Sequence, residues 1–389
     1  MNRRQLITAA FPLVLSAHPA VAKALGGDAI VPPASSPASA GGIETIATAF
    51  LNSGHGVGLS VAAMRNGKLL LAEGYGIANL ETNTPVNAAS VFRAGSITKQ
   101  FAAAAVMRLV EAGRLDLDAL AAKYIPEMAS TGPITVRMLL NQTSGLRNYS
   151  GREFAEQQKI DRTPKQMLDY ILGQPELMNF SPGDRFEYSN SNYFLLGVMV
   201  ERVGARPLQD TLGDLIRDAG LKQTAVDHAS DIVPQRADGY ALIDEKPGRF
   251  RKADYVSMDN AGGAGVLRST PSDLVKWHQA LFAGRVVKKR SLQQMLKTGT
   301  LNNGRPVLRD DSPIAQGKPA YGFGLEVGTF DGLQAIGHGG SVPGYTSYVV
   351  TFPRQRLSAA VMMNVDPNQQ MPFAAILRTI LAAGSTVPG

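Results

Sequence analysis

The order of apolar and polar residues predicts strands at both ends of the chain and helices between them. Two strand-like runs, residues 57–64 and 69–75, flank Asn66-Gly67, a dipeptide that favours a tight hairpin turn. Strand-like runs return near the other end, at residues 333–337, 345–352 and 357–363. We therefore expect both ends to join in one antiparallel sheet.

Apolar residues recur at helical spacing in residues 43–51, 97–112, 193–203 and 373–383. Gly113 directly follows the second of these runs and is placed to end a helix. Helices and loops dominate from about residue 115 to 205, which predicts a mostly helical insert. The expected fold class is α/β, of the α+β kind: an antiparallel sheet flanked by helices, with a helical lobe inserted and the active site in the cleft between them.

The N-terminal segment has the pattern of an export signal. Arg3 and Arg4 precede an apolar stretch too short to span a membrane, and Ala20-Val21-Ala22 is a small-x-small cleavage pattern. We expect residues 1–22 to be removed on export to the periplasm or the medium, by the general route or by the twin-arginine route. No integral membrane segment is expected after that removal.

The remaining chain is expected to form one domain on a tether. Residues 23–42 are rich in Pro, Ala and Ser and predict a flexible tether. The domain is expected over residues 43–383, because the recognisable elements fall there. Its sheet lobe would comprise residues 43–95 and 262–383, and its helical lobe residues 96–261.

Composition excludes several classes of function. The formal net charge is +7, but the basic residues are scattered, so a nucleic-acid interface is not expected. The chain has no cysteine, which excludes thiol catalysis and cysteine-bound metal. Its few histidines lack metal-ligand spacing, so no metal and no cofactor are expected.

The first candidate for chemistry is the Ser-x-x-Lys formed by Ser96 and Lys99, where a helix should begin. Serine is a common helix cap, so this residue could have a purely structural role. Residues three apart share a helix face, however, and the lysine side chain can reach the serine hydroxyl. Burial along this apolar helix would lower the lysine pKa and make the amine a usable base.

The second candidate is Tyr188-Ser189-Asn190, in the loop that Ser181-Pro182-Gly183 opens. A tyrosine here could simply pack its ring on the core. Beside Ser96 and Lys99, its phenol could instead shuttle a proton, with the phenolate form stabilised by the nearby ammonium. The amide of Asn190 could orient an acyl carbonyl or hold the lysine.

A third element must supply strand backbone at the edge of the cleft, with glycine that lets substrate lie against it. Lys297-Thr298-Gly299 follows a helical run and looks like a helix end. His338-Gly339-Gly340 lies between two strand-like runs and fits the requirement. We therefore assign the third element to His338, Gly339 and Gly340, and expect His338 to be partly charged at neutral pH.

Three other residues are given structural roles. We expect His278, next to Trp277, to lie on a helix surface. Arg147 and Tyr149 could line the mouth of the cleft, but solvation in a loop is the simpler expectation for both.

Together these motifs resemble the serine β-lactamase and penicillin-binding superfamily, specifically its class C branch. That branch includes class C β-lactamases, D-alanyl-D-alanine carboxypeptidases, D-aminopeptidases and family VIII esterases. The resemblance extends over about residues 43–383 and implies the family's fold, an acyl-enzyme on Ser96, and an oxyanion hole formed by the N–H groups of Ser96 and Ser341. The motifs occur in the family's order: Phe92-Arg93-Ala94-Gly95-Ser96, Leu139-Leu140-Asn141-Gln142-Thr143-Ser144-Gly145-Leu146, Pro182-Gly183 before Tyr188-Ser189-Asn190, Gly262-Gly263-Ala264-Gly265-Val266 and Gly337-His338-Gly339-Gly340-Ser341.

One departure from the family bears on the substrate. The family's third motif often carries a hydroxyl residue, which helps to hold a substrate carboxylate, and here Gly339 stands in its place. Losing such a charge-assisted hydrogen bond costs about 1.5–3 kcal/mol, or one to two powers of ten in affinity. This favours a neutral ester, or an amide without that carboxylate.

The sequence thus predicts an exported serine hydrolase of the esterase or D-peptidase-like amidase type. Its substrate would be a small ester, amide or D-amino-acid peptide. A β-lactamase or D-alanyl-D-alanine carboxypeptidase is the first alternative. A non-catalytic envelope-binding protein is the second, and it gives no reason for Ser96, Lys99 and Tyr188 to occur together.

Overall fold

The computed structural model describes residues 40–310, 312, 314–366 and 371–385. The predicted signal segment, and all but the last three residues of the predicted tether, lie outside the described residues. Within them, no helix is both long enough and apolar enough to cross a membrane.

An eight-stranded antiparallel sheet, built from both ends of the chain, forms the centre of the fold, as the sequence predicts. Its strand order is β3-β2-β1-β13-β12-β11-β10-β9. The strands are β1 Gly58–Arg65, β2 Lys68–Asn79, β3 Thr84–Pro85, β9 Gln316–Tyr321, β10 Glu326–Phe330, β11 Leu333–Val342, β12 Tyr345–Phe352 and β13 Leu357–Met363.

Short strands outside this sheet form two small sheets. A three-stranded sheet has the order β4-β8-β5, and a two-stranded sheet pairs β6 with β7. Their bounds are β4 Phe92–Arg93, β5 Ala225–Val226, β6 Tyr240–Leu242, β7 Phe250–Lys252 and β8 Leu267–Ser269.

Ten α-helices are present among the described residues. They are α1 Ala40–Asn52, α2 Thr98–Glu111, α3 Val136–Leu140, α4 Ala155–Gln158, α5 Pro164–Leu172, α6 Asn190–Gly204, α7 Leu208–Asp218, α8 Pro271–Phe282, α9 Lys289–Leu296 and α10 Phe373–Ser385. The predicted hairpin is also present: Asn66 and Gly67 both have positive φ and connect β1 to β2.

Helices cover both faces of the large sheet. On one face α1 and α10 pack their apolar sides against β1, β12 and β13. On the other face α8 packs against the same strands, and the larger core continues from there into the helices of the middle of the chain. Ala102 to Val106 of α2 are fully buried, so this helix lies inside that core.

The structure corrects the expectation for His278. The side chain is fully buried where α8 packs on the sheet, with Nδ1 2.7 Å from Thr351 Oγ1 and Nε2 3.0 Å from Gln100 Oε1. A histidine on the sheet-facing side of an amphipathic helix is desolvated, which lowers the pKa of His278 to about 3.

Candidate active site

The start of α2 positions Ser96. A short 3₁₀ turn, Gly95–Ile97, runs directly into the helix, and Ser96 makes no capping hydrogen bond there. Gly95 has a positive φ of 53°, a backbone conformation that favours glycine. The Ser96 hydroxyl is therefore not used as a cap and lines a cleft of about 1050 Å³.

Lys99 lies one turn further along, fully buried, and contacts three oxygen atoms. Its Nζ is 3.0 Å from Ser96 Oγ, 2.6 Å from Asn190 Oδ1 and 2.8 Å from the carbonyl oxygen of Ala264. Burial, with a further contribution from the nearby charge of Arg309, holds the pKa of Lys99 well below its usual value. In its neutral form, the amine can donate its two protons to the two carbonyl oxygens and direct its lone pair at the Ser96 hydroxyl.

Tyr188 completes this cluster from the segment before α6. Its ring centroid is 4.8 Å from Lys99 Nζ, and it lines the same cleft as Ser96. Burial nevertheless raises the pKa of Tyr188 well above its usual value. The sequence argument expected a stabilised phenolate, and this expectation is wrong, because desolvation by burial disfavours the charged form of the phenol.

Asn190 begins α6 and is held in place from three directions. Its N–H donates to Asn148 Oδ1 at 3.0 Å, its Nδ2 to Ser150 Oγ at 2.5 Å, and its Oδ1 accepts from Lys99. The sequence left two roles open for Asn190, orienting an acyl carbonyl or holding the lysine. These contacts support the second role, since Oδ1 accepts a hydrogen bond from Lys99.

The third element lies on β11, next to the turn that carries Ser96. A Cβ on Gly340 would collide with the carbonyl oxygen of Ala94 and with Ser347 Oγ, and a Cβ on Gly95 would lie 3.0 Å from the Ser341 nitrogen. Gly340 is thus required for the strand to pack on the nucleophile turn. This packing places Ser96 and Ser341 at the same cleft, as an oxyanion hole built from their N–H groups requires.

His338 is buried, and the expected partial charge is wrong. Its Nδ1 is 2.5 Å from the carbonyl oxygen of Gly339 and its Nε2 is 3.0 Å from Tyr321 Oη. A carbonyl can only accept, so Nδ1 carries the proton and Nε2 accepts from Tyr321. Burial, with a further contribution from the nearby charge of Arg309, holds the pKa of His338 well below its usual value, so the ring is neutral at neutral pH.

Sequence reasoning missed three residues of the site. Tyr321 stands edge-on to Tyr188, with ring centroids 6.3 Å apart. The Arg309 guanidinium lies 5.1 Å from the Tyr188 ring centroid, and its Nη1 pairs with Oε1 of the fully buried Glu326 at 2.8 Å. All three lie outside the recognised motifs; Arg309 lines the cleft, and Tyr321 and Glu326 are fully buried against its lining residues.

Tyr149, which was expected in a solvated loop, is also part of the wall. It is buried, lines the cleft, and donates its hydroxyl to the carbonyl oxygen of Asn260 at 2.9 Å. Arg147 remains partly exposed and pairs with Glu176 at 3.1 Å.

The alternative third element does not line the cleft. It comprises Lys297, Thr298 and Gly299, and Gly299 packs against Asn141 and Val307. Among the described residues, no cluster of His, Asp or Glu is arranged to hold a metal ion.

Comparison with known proteins gives the same superfamily. Penicillin-binding protein 4* of Bacillus subtilis (strain 168) is 26% identical over 330 residues, which cover 82% of this chain and 70% of that protein. Protein flp of Staphylococcus aureus (strain MW2) is also 26% identical, and this chain spans 63% of its length, less than two thirds.

Solved structures show the same fold. The octameric penicillin-binding protein homologue from Pyrococcus abyssi has a TM-score of 0.75 at 26% identity, covering 89% of this chain and 77% of that one. The D-stereospecific amidohydrolase from Streptomyces sp. has a TM-score of 0.71 at 25% identity, covering 91% and 100%. The family model described as Beta-lactamase matches residues 43–383, and the chain therefore belongs to the beta-lactamase family of the serine β-lactamase and penicillin-binding superfamily.

Proposed function

We propose that this protein hydrolyses carboxylic esters or D-amino-acid amides through an acyl-enzyme on Ser96. One observation carries the proposal: Ser96 Oγ lies 3.0 Å from the nitrogen of a buried lysine whose two other contacts are both carbonyl oxygens. This is the arrangement of a hydroxyl nucleophile beside a neutral amine base.

The reaction follows from the protonation states. Lys99 takes the Ser96 proton while Oγ attacks the substrate carbonyl, and the N–H groups of Ser96 and Ser341 stabilise the oxyanion. Tyr188, which is a phenol at neutral pH, donates its proton to the leaving group and regains one from Lys99. A water molecule then attacks the acyl-enzyme with the same groups as base and acid, and releases the acid.

The charge of the cleft supports a substrate with a neutral recognition group. Among the described residues that line it, Arg309 carries the one formal charge, and Glu326 compensates that charge at 2.8 Å. His338 is neutral, and Gly339 offers no hydroxyl. A substrate carboxylate would therefore lose its hydration without meeting an uncompensated cation.

The side chains that line the cleft differ in polarity. Some are apolar, and others are uncharged amides and hydroxyls. The apolar ones include Val342, Pro343, Tyr348, Met371 and Phe373, and the polar ones include Asn148, Ser150, Gln158 and Asn260. This division suits an ester or amide with one apolar group, and the likeness to a D-stereospecific amidohydrolase supports the amide.

A D-alanyl-D-alanine carboxypeptidase or β-lactamase remains the second candidate. Arg309 is the observation that favours it, since a guanidinium at the cleft wall can bind a carboxylate with two parallel hydrogen bonds. A relative named as a penicillin-binding protein supports it too.

The test compares kcat/KM for an aryl acetate, a D-phenylalanine anilide and a chromogenic cephalosporin. We expect the ester or the anilide to be turned over at least about tenfold faster than the cephalosporin. Gly339→Thr, which restores a hydroxyl, is the matched variant and should raise cephalosporin turnover relative to the ester. Efficient cephalosporin turnover by the unaltered protein would instead favour the second candidate, and activity that survives Ser96→Ala would exclude the mechanism.

A further inference from the structure

Gln142 accepts backbone hydrogen bonds from the chain on both sides of Tyr188. Its backbone carbonyl oxygen accepts the N–H of Glu187 at 3.0 Å, and its side-chain Oε1 accepts the N–H of Ser189 at 3.1 Å. The backbone N–H groups of the residues before and after Tyr188 are thus both hydrogen-bonded to Gln142.

These two hydrogen bonds are held in place because Gln142 is itself fixed. Its side chain is fully buried, and Oε1 also accepts from Asn192 Nδ2 at 2.6 Å. Ser144 Oγ donates in turn to Asn192 Oδ1. A chain of buried hydrogen bonds in a low-dielectric interior holds its members in one geometry.

The backbone of Gln142 is held in an unusual conformation. Its φ is +65°, in the left-handed region that a residue with a long side chain rarely adopts. Such strain costs on the order of 1–3 kcal/mol and persists only where the surroundings impose it. Here it lets one residue present both its carbonyl and its side-chain oxygen to the same segment.

We propose that Gln142 is the positioning residue for Tyr188, which fixes the phenol at Ser96 through the peptide groups on either side of it. The inference rests on the proposed function, because a correctly placed Tyr188 matters only if it moves a proton. A loss of Gln142 would then lower kcat, since a shift of about 1 Å at a catalytic group costs on the order of a hundredfold. Binding of the substrate, and so KM, would change little.

The experiment is a double-mutant cycle between Gln142→Met and Tyr188→Phe, with an aryl acetate as substrate. Methionine keeps the length of the side chain and removes the oxygen that accepts from Ser189. We expect Gln142→Met to lower kcat by roughly ten- to a hundredfold, and to cause no further loss once Tyr188 is phenylalanine. Equal losses in both backgrounds would overturn the proposal.

The control is Thr131→Val, which removes a buried hydrogen bond to the carbonyl oxygen of Met128, outside the network that holds Gln142. It should lower the melting temperature and leave kcat within about twofold of the unaltered protein. A fall in kcat that tracks the loss of stability in both Thr131→Val and Gln142→Met would mean a purely structural role and would overturn the proposal.

Two further measurements keep the result clear. If Gln142→Met does not fold, Gln142→Asn shortens the side chain by one methylene and enters the same cycle, with a smaller loss expected in kcat. Ser96→Ala is run alongside: ester turnover that does not depend on Ser96 would refute the proposed function, whereas Ser96-dependent turnover with additive losses would refute only the role of Gln142.

Discussion

At the scale of single residues, the account depends on the protonation state of Lys99. In its neutral form, a buried amine with two carbonyl acceptors and one hydroxyl neighbour donates both N–H groups to the carbonyls and directs its lone pair at Ser96. Tyr188 complements it, because burial keeps the phenol protonated and available as an acid. The base and the acid of the proposed reaction are thus set before the substrate arrives.

This arrangement predicts the pH dependence of kcat/KM. Desolvation lowers the pKa of Lys99 well below its usual value, which favours the neutral amine, and the amine gains a proton as the pH falls. We expect kcat/KM to be level at neutral pH and to fall on the acid side, as the ammonium replaces the base. Lys99→Met should lose at least about a hundredfold, and Lys123→Met, at an exposed lysine, should lose nothing. Activity that rises steadily up to the ordinary lysine pKa of about 10.4 would contradict this account.

Local motifs in the sequence were enough to name Ser96, Lys99, Tyr188, Asn190 and the third element, and the structure places all of them at one cleft. They could not show Arg309 or Tyr321, whose roles arise from packing between separate elements. The protonation of His338 was also out of reach, because burial by Tyr321 and its neighbours decides it.

At the scale of elements, periodicity located the four longest of the described helices, α1, α2, α6 and α10, and the inner strands. The bounds of β12 and β13 agree with the predicted residues 345–352 and 357–363. The sequence analysis did not identify β9 or β10. β9 is an edge strand that contains Gly317 and Pro319, residues that disfavour a strand prediction and are tolerated at an edge.

The bounds of helix α8 were not predicted, although His278 was expected on a helix, and the buried His278 gives this helix a pH-dependent contribution to stability. The pKa of His278 is about 3 in the folded protein and 6.5 as a free side chain, so the unfolded chain gains a proton first as the pH falls. Stability from this group is complete above pH 6.5 and is lost toward pH 3. At pH 5 the loss amounts to about 2 kcal/mol.

The measurement is urea unfolding at about pH 7.5 and pH 5 for the unaltered protein and for His278→Gln. Glutamine keeps a donor for Gln100 and does not titrate, so the stability lost between the two pH values should be smaller by about 2 kcal/mol. His55→Gln, at a partly exposed histidine, serves as the control and should lose as much as the unaltered protein. An equal loss in all three proteins would mean that His278 does not titrate as described.

At the scale of the whole molecule, the cleft depends on the large sheet that both ends of the chain form together. Ser347 Oγ, on β12, donates to the carbonyl oxygen of Ala94 at 2.8 Å and joins the end of the chain to the nucleophile turn. Tyr188 and Asn190 come from the middle of the chain and meet the same turn through Lys99. The fold thus brings three distant segments to one cleft, which is why the family's fold and its chemistry occur together.

The central claim is that Ser96 carries the acyl group during turnover. The most direct test is to quench the protein during hydrolysis of an aryl ester and to locate the acyl group by peptide mass spectrometry, with Ser96→Ala and Tyr188→Phe alongside. We expect the acyl group on Ser96 in the unaltered protein, more slowly formed in Tyr188→Phe and absent from Ser96→Ala. Turnover with the acyl group on another residue, or undiminished turnover by Ser96→Ala, would contradict the account.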